Sequence, residues 1–252
     1  EQFDGESYVF EYVISARDGS VFARQNLTDN DTFKYRVWAD NSGDHRPHDS
    51  PLIDNSPHAT GFPGEPVTGF APPKIISMEG FNQFGDPWLP AGAVETLGNN
   101  VDAYVDHSAP QGLSEGEFRA SVTAPGVFDR VYDHEAEPLA TVDQSMAAIT
   151  QLFYTINWLH DYWYDSGFDE EAGNAQEDNY GRGGAEGDSL KLEAQNSALS
   201  GPVNNANMST PADGMQPRMQ MYLYNGLKHS ELTIEPLAET FDVGTANFGP
   251  TS

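Results

Sequence analysis

Hydrophobic and polar positions alternate along the first part of the chain and change to a helical period in its second half. Tyr8 to Val13 is an apolar-rich run, Arg17-Asp18-Gly19-Ser20 supplies a turn whose glycine tolerates positive φ, and Val21 to Leu27 returns. A β-hairpin is predicted there. A third run, Thr32 to Trp38, puts Phe33, Tyr35 and Val37 on one side and extends the prediction to a three-stranded meander. From about Asn41 to Pro73 the chain is rich in Pro, Gly, Ser, Asp and His without periodicity, and reads as an extended linker or loop. Short strand-like runs follow at Asp102 to Val105, Phe118 to Val122 and Val127 to Tyr132.

The clearest element starts at Thr141. Thr141 and Gln144 have the spacing of a capping box, and Met146, Ile149, Phe153, Ile156, Leu159 and Trp163 recur at steps of three and four. The pattern predicts a helix of about 24 residues, roughly 36 Å long, stopped by Gly167. A shorter helix is expected at Phe168 to Gly173, then a Gly-rich loop, Tyr180 to Gly187. Strand character returns at Ser189 to Ala194 and at Arg218 to Tyr224, two candidate sheet neighbours. The sum is an α+β chain, β-rich, with one long amphipathic helix.

Composition narrows the function. Lys and Arg total 12 against 39 Asp and Glu, for a formal charge of −27. A nucleic-acid partner is not expected, because phosphate backbones are bound by clusters of cations. An anionic membrane surface would repel the chain in the same way, and no apolar stretch is long enough to span a bilayer. Cysteine is absent, which removes disulfides, thiolate metal sites and thiol nucleophiles. An acidic, lysine-poor surface of this kind suits a secreted protein in a saline medium, where salt screens self-repulsion.

Several clusters invite a chemical reading. GRGGAEG, Gly181 to Gly187, lacks the P-loop pattern and is followed by acids and a strand, so it does not read as a phosphate site. No GxSxG elbow and no HExxH occurs. His45 and His48 lie among acids, but without a helix to align them they read as solvated loop residues. His134-Glu135 runs into Pro138 with no second histidine. His160, beside Asp161 and among Trp158, Tyr162 and Trp163, reads as a hydrogen-bonded core or boundary residue. Asp165, Asp169, Glu170, Glu171, Asn174, Glu177 and Asp178 offer hard oxygen ligands suited to calcium, yet their spacing matches no EF-hand, and solvated acids are the simpler account.

Longer motifs carry a resemblance. The run LFYTINWLHDYWYDSGFDEEAGNAQEDNYGRGG (Leu152 to Gly184), then EAQN (Glu193 to Asn196), then NNANMSTPADGMQPRMQMYLY (Asn204 to Tyr224), is similar to the fungalysin family of secreted zinc metallopeptidases. PWLPAGAVETLGNNVDAYVD (Pro87 to Asp106) resembles the early catalytic region of the same family, and the strands at Tyr8 to Leu27 resemble the last hairpin of its propeptide. The resemblance implies a thermolysin-like fold in which a β-rich N-terminal half walls one side of a cleft. It also implies that an Asn-Ala pair on or beside an edge strand anchors extended substrate. By motif that pair is Asn205 and Ala206, residues whose small size and amide chemistry suit β-augmentation, although an Asn-rich turn is the alternative from the residues alone.

The same resemblance places HExxH and a glutamate zinc ligand after the RMQMYLY strand, and in members with a protease-associated domain that insert follows the strand. The tail from Asn225 to Ser252 resembles the lead into such an insert. The expected division is therefore 1–40, the end of a propeptide-like meander; 41–73, linker; 74–225, the N-terminal subdomain of a fungalysin-like catalytic domain; and 226–252, the lead into the insert or the catalytic half. The parent protein would be a zinc endopeptidase acting outside the cell on peptides or proteins, with its zinc ligands outside this chain and calcium as a second candidate ion. Its partner would be the missing C-terminal catalytic half, and this chain alone would not hydrolyse peptides. A non-catalytic binding module, self-associating through an open strand edge, is the alternative reading.

Overall fold

The computed structural model describes residues 33–48, 71–199 and 201–224 in full, residues 14–17, 19 and 21, and the backbone of the short strands within residues 2–26 and 229–245. In chain order the strands are β1 (Gln2–Phe3), β2 (Glu6–Ser7), β3 (Phe10–Ile14), β4 (Val21–Asn26), β5 (Lys34–Val37), β6 (Lys74–Ser77), β7 (Val101–Val105), β8 (Val127–Phe128), β9 (Leu190–Ala194), β10 (Ala206–Ser209), β11 (Arg218–Met221), β12 (His229–Ile234) and β13 (Glu239–Thr245). One α-helix, α1 (Val142–Asp165), lies between β8 and β9, and a single 3₁₀ turn follows it at Glu170–Ala172, where the second helix is expected. The architecture is α+β and β-rich.

β3 and β4 form the expected hairpin, closed by the Gly19 N–H donating to Ser15 O at 3.0 Å with Gly19 at φ +77°. The third strand of the predicted meander does not join it. β5 is instead the central strand of a separate sheet, antiparallel to β6 and parallel to β8, so both of its edges are occupied. The alternation of Phe33, Tyr35 and Val37 is real, but it turns these side chains into the main core, where Phe128 of β8 and Phe153 and Tyr154 of the long helix pack on Tyr35. β12 and β13 form a second hairpin in the tail, for which no element is predicted.

The expected linker is ordered over its first residues. Asp40 N donates to Arg46 O at 2.9 Å and His48 N to Trp38 O at 3.0 Å, folding residues 38–48 back on themselves. Two aromatic donors of α1 hold this loop: Tyr154 Oη donates to His45 O at 2.7 Å and Trp158 Nε1 to Asp44 O at 2.8 Å. The rest of the expected linker, 49–70, lies outside the described residues.

The second sheet has the order β10-β11-β9-β7, with β7, β9 and β11 parallel and β10 antiparallel at its end. α1 packs against β7 and β9 of this sheet and against β5 of the other, so one helix seals both. The core it covers is aromatic. Tyr35 stacks on Phe128 at 5.5 Å, and Tyr154 meets Trp88 edge-on at 5.4 Å. Such pairs add about 0.5–1.5 kcal/mol each beyond the burial of their area.

α1 begins and ends as its sequence predicts. Thr141 Oγ1 accepts from Gln144 N at 3.1 Å, although the return arm of a capping box is replaced: Gln144 Oε1 accepts from Asp133 N at 2.9 Å, pinning the preceding loop to the helix. At the C-terminus Gly167 N donates to Tyr164 O at 2.9 Å and Phe168 N to Trp163 O at 3.0 Å, a Schellman motif with Gly167 left-handed. The buried face is rotated from the apolar stripe of the sequence. Asn157 and Asp161 are fully buried, while Trp163 is 55% exposed. Polar residues can centre the buried face because each finds partners there: Asn157 donates to Phe153 O and accepts from Asn100, and Asp161 accepts from Phe81 N and Trp88 Nε1, both at 2.8 Å.

Candidate functional site

Alternation along the parallel strands sends one set of side chains to α1 and the other to the opposite face. Val101, Ala103 and Val105 of β7 and Leu190, Leu192 and Ala194 of β9 belong to the core, with Met219 of β11 packed against it. Pairing register then lines up two polar rows across the other face: Asp102, Lys191, Arg218 and Ser209 in one, and Tyr104, Glu193, Gln220 and Asn207 in the next. Both rows end on β10.

In the first row Asp102 accepts from Arg119 Nε at 2.6 Å and from Lys191 Nζ at 3.0 Å, a compensated charge. The second row is less balanced. Glu193 is fully buried, and its Oε2 accepts from Gln220 Nε2 at 2.6 Å and from Asn196 Nδ2 at 3.1 Å. Asn196 Nδ2 also donates to Asp106 Oδ2 at 3.1 Å, so one amide bridges two buried acids. Burial pushes the Glu193 carboxyl up to about 7; the Gln220 hydrogen bond and Arg218 oppose this, and the neighbouring Asp106 adds to it. Asp106 is raised as well, chiefly by burial, against the hydrogen bond from Gly112 N. Glu193 Oε1 and Arg218 Nε, 3.9 Å apart, are both buried without a hydrogen-bond partner among the described residues.

Among the described residues β10 is an edge strand of the sheet. Asn205 and every residue of β10 are exposed. Ala206 opens the strand opposite Met221, Asn205 O accepts from Tyr222 N at 3.2 Å, and Asn205 Oδ1 accepts from Ala206 N at 2.9 Å. Asn204, at φ +59°, turns the chain into this strand and donates from its N–H to Leu223 O at 2.7 Å. Asn205 and Ala206 thus sit at the start of an edge strand rather than in an isolated Asn-rich turn. β-augmentation by an extended peptide requires such an edge.

The other candidates are dispersed. His45 Nδ1 contacts Asp40 O at 3.0 Å and His48 Nε2 contacts Asp40 Oδ1 at 3.2 Å, so both histidines serve their own loop. His160 Nδ1 lies 3.3 Å from Asp161 Oδ1, at the boundary of the core. The acids after α1 are engaged locally. Asp165 accepts from Gln83 N, Asp169 caps the 3₁₀ turn at Ala172 N, and Glu170 accepts from Tyr164 Oη at 2.7 Å and Arg182 Nε at 2.8 Å. Arg182 gives the Gly-rich loop its role: it bridges Asp86 and Glu170, and its guanidinium lies 4.5 Å from the Phe84 ring centroid and 4.7 Å from that of Tyr180. Gly184 passes so close to Glu170 that an added Cβ would lie 2.1 Å from its backbone oxygen.

Among the described residues no group of three or more His, Asp or Glu could hold a metal ion. The described residues do not fit a zinc centre. Among the same residues no helix is long and apolar enough to cross a membrane.

The sequence model of the fungalysin metallopeptidase family (M36) matches residues 71–235, which include α1, the second sheet and β10. The chain belongs to the fungalysin family. Extracellular metalloproteinase mep of Aspergillus flavus is 56% identical over 147 residues, covering 55% of this chain and 23% of that protein. Extracellular metalloproteinase 4 of Arthroderma gypseum is 41% identical over 142 residues, 56% of this chain and 20% of the relative. Extracellular metalloproteinase 2 of Trichophyton tonsurans is 42% identical over 130 residues, 51% and 19% respectively. This fungalysin chain therefore spans about a fifth of the length of the curated relatives it matches. Sequence reasoning missed its buried Glu193, Asp106, Asn196 and Gln220, and the half-buried Arg218 beside them. A signal was present in LKLEA and RMQM, where acids and amides alternate with apolar residues inside strands.

Proposed function

We propose that this chain is the N-terminal portion of a secreted, extracellular zinc metalloendopeptidase and that it forms the wall of the cleft on which substrate lies. β10 receives an extended peptide or protein segment by strand addition, with Asn205 and Ala206 at the point of contact. The observation that carries this reading is the exposed edge position of β10 within the family-matched region. The hairpin before residue 33 corresponds, in this reading, to the end of a propeptide, residues 74–225 to the N-terminal catalytic subdomain, and 226–252 to the lead into the remainder. Zinc and its ligands belong to that remainder. The experiment uses the full-length natural polypeptide and a denatured protein substrate. Hydrolysis should be abolished by zinc chelation, and Asn205→Ala should lower kcat/KM by about tenfold, the loss of one or two substrate hydrogen bonds. Chelator-insensitive hydrolysis, or an Asn205→Ala variant with unchanged kcat/KM, refutes the proposal.

A further inference from the structure

The second polar row and the residue after β7 bring together a buried pair of acids, Glu193 and Asp106, one strand removed from β10. Glu193 is in register with Tyr104 of β7 on one side and Gln220 of β11 on the other, and Gln220 is in register with Asn207 of β10. Five groups face the carboxyl: Tyr104 from β7, Asp106 just beyond β7, Asn196 from the turn after β9, and Gln220 and Arg218 from β11. Asp106 is faced in addition by Glu117 and by Gly112 N at 3.1 Å. Lys191 and Arg119 are committed to Asp102 in the neighbouring row. Arg218 is the one cation facing the pair from these elements.

Arg218 has two places to go. Its Nη1 donates to Gln111 Oε1 at 2.9 Å, while its Nε stops 3.9 Å from Glu193 Oε1, leaving a donor and an acceptor unmatched in a buried site. A single proton held between Glu193 and Asp106 makes this arrangement tolerable, because only one negative charge is then buried. Loss of that proton changes the balance. A second buried charge demands a partner, and the Arg218 Nε–H is the nearest unused donor. Arg218 is also the residue of β11 that pairs with Ser209 at the end of β10, so its movement is transmitted to the open strand.

We propose that Glu193 is a positioning residue for β10, and that with Asp106 it forms a proton-controlled switch: holding one proton, the pair leaves Arg218 on Gln111, and fully ionised it draws Arg218 onto Glu193 Oε1 and shifts the Arg218–Ser209 end of β10. Burial places the Glu193 transition near neutrality, at about 7, where modest changes of medium operate the switch. The consequence for ligand binding rests on the reading of β10 as a peptide-pairing edge. In that reading the strand arrangement seen here, with Arg218 on Gln111, is the receptive one, and peptide affinity falls as pH rises.

The test is an NMR titration of the full 252-residue chain from about pH 5 to about pH 9, following Arg218 Nε–Hε and the amides of Asn207 and Ser209. All three should titrate with one midpoint near 7. Glu193→Gln, which keeps size and cannot ionise, should remove that transition, and Asp106→Asn should move its midpoint downward. An extended peptide should bind at least about threefold more weakly above the midpoint in the parent chain, and with no such step in Glu193→Gln. The switch is overturned if the three signals do not titrate together, or if their transition survives in a folded Glu193→Gln chain. Asp106→Asn gives a second check should Glu193→Gln fail to fold, since an unmoved midpoint there also overturns the pair. Titration of β10 with no peptide binding at either pH retains the switch and overturns the peptide-pairing reading, and binding without a step at the midpoint overturns the coupling between the two.

Discussion

Trp88 Nε1 donates to Asp161 Oδ2 at 2.8 Å inside the protein, joining a fully buried indole to a fully buried carboxylate. Asp161 also accepts from Phe81 N, and His160 Nδ1 lies 3.3 Å from its Oδ1. A carboxylate in this position is stabilised by converging N–H groups rather than by a lysine or arginine. Asp161→Ala leaves two buried donors unmatched and should cost about 3 kcal/mol. Trp88→Phe removes one donor and an aromatic contact and should cost about 2 kcal/mol. Urea unfolding monitored by circular dichroism checks both, and a loss below about 1 kcal/mol for Asp161→Ala contradicts the assignment.

Gly98 is outside the left-handed region, so its requirement is one of space. A Cβ there would lie 2.1 Å from the backbone oxygen of Trp88 and 3.4 Å from the Phe153 ring. The loop residue Trp88 and the helical residue Phe153 that supply these atoms are both fully buried in the core, and neither yields easily. Gly98→Ala should destabilise the chain by about 3 kcal/mol, visible as a lowered thermal midpoint. Gly19, whose added Cβ meets nothing within 4 Å, should lose less on the same change despite its left-handed backbone.

Arg182 links three segments through Asp86, Glu170 and two aromatic rings. Burial opposes its charge, but the hydrogen bond and charge of Asp86 and the hydrogen bond of Glu170 hold its pKa above the ordinary arginine value. A lysine keeps the charge and loses the fork and the planar stacking surface. Arg182→Lys should therefore cost about 2 kcal/mol, nearly as much as Arg182→Ala, and should increase proteolytic cutting within Gly181 to Gly187. A fully stable lysine variant would show that charge alone suffices.

Stability should depend on pH through Glu193. Its ordinary value is 4.5 and the folded chain raises it to about 7, so between these values the folded state retains a proton that the unfolded state has released. The contribution is present below about 4.5, declines through the window, and is lost above about 7, a change on the order of 3 kcal/mol. General repulsion among the many surface acids changes with pH too, but it is common to the parent and to Glu193→Gln. The difference between their unfolding midpoints at about pH 5 and about pH 8 isolates the one group, and identical pH slopes would exclude it.

Much of this architecture is legible in the sequence where the causes are local. Thr141, Gly167 and the steps of three and four between them mark α1 to the residue, because caps and periodicity act within a turn or two. The edge position of Asn205 and Ala206 follows from the motif around them, not from their own composition. The rest depends on distant partners. Lys34–Val37 has the alternation of a strand in any sheet, and only β6 and β8 decide which one. Asn157 and Asp161 look like surface residues of a helix until Asn100, Phe81 and Trp88 are brought to them. Glu193 reads as an ordinary strand acid, and its peculiarity arises when Asp106 and Asn196 close over it.

The parallel trio β7, β9 and β11 also has a bearing on biosynthesis. Asp102 on the first strand meets Lys191 on the second across 89 positions of sequence, and the third strand enters later still. A chain emerging from the ribosome can wind α1 early, since its bonds are local, but the strand surface it settles on is not complete until Ala194 has been made. During that interval the inward faces of Val101–Val105 and of α1 are open to wrong contacts, so the nascent fungalysin segment is most prone to aggregate before its second half is made.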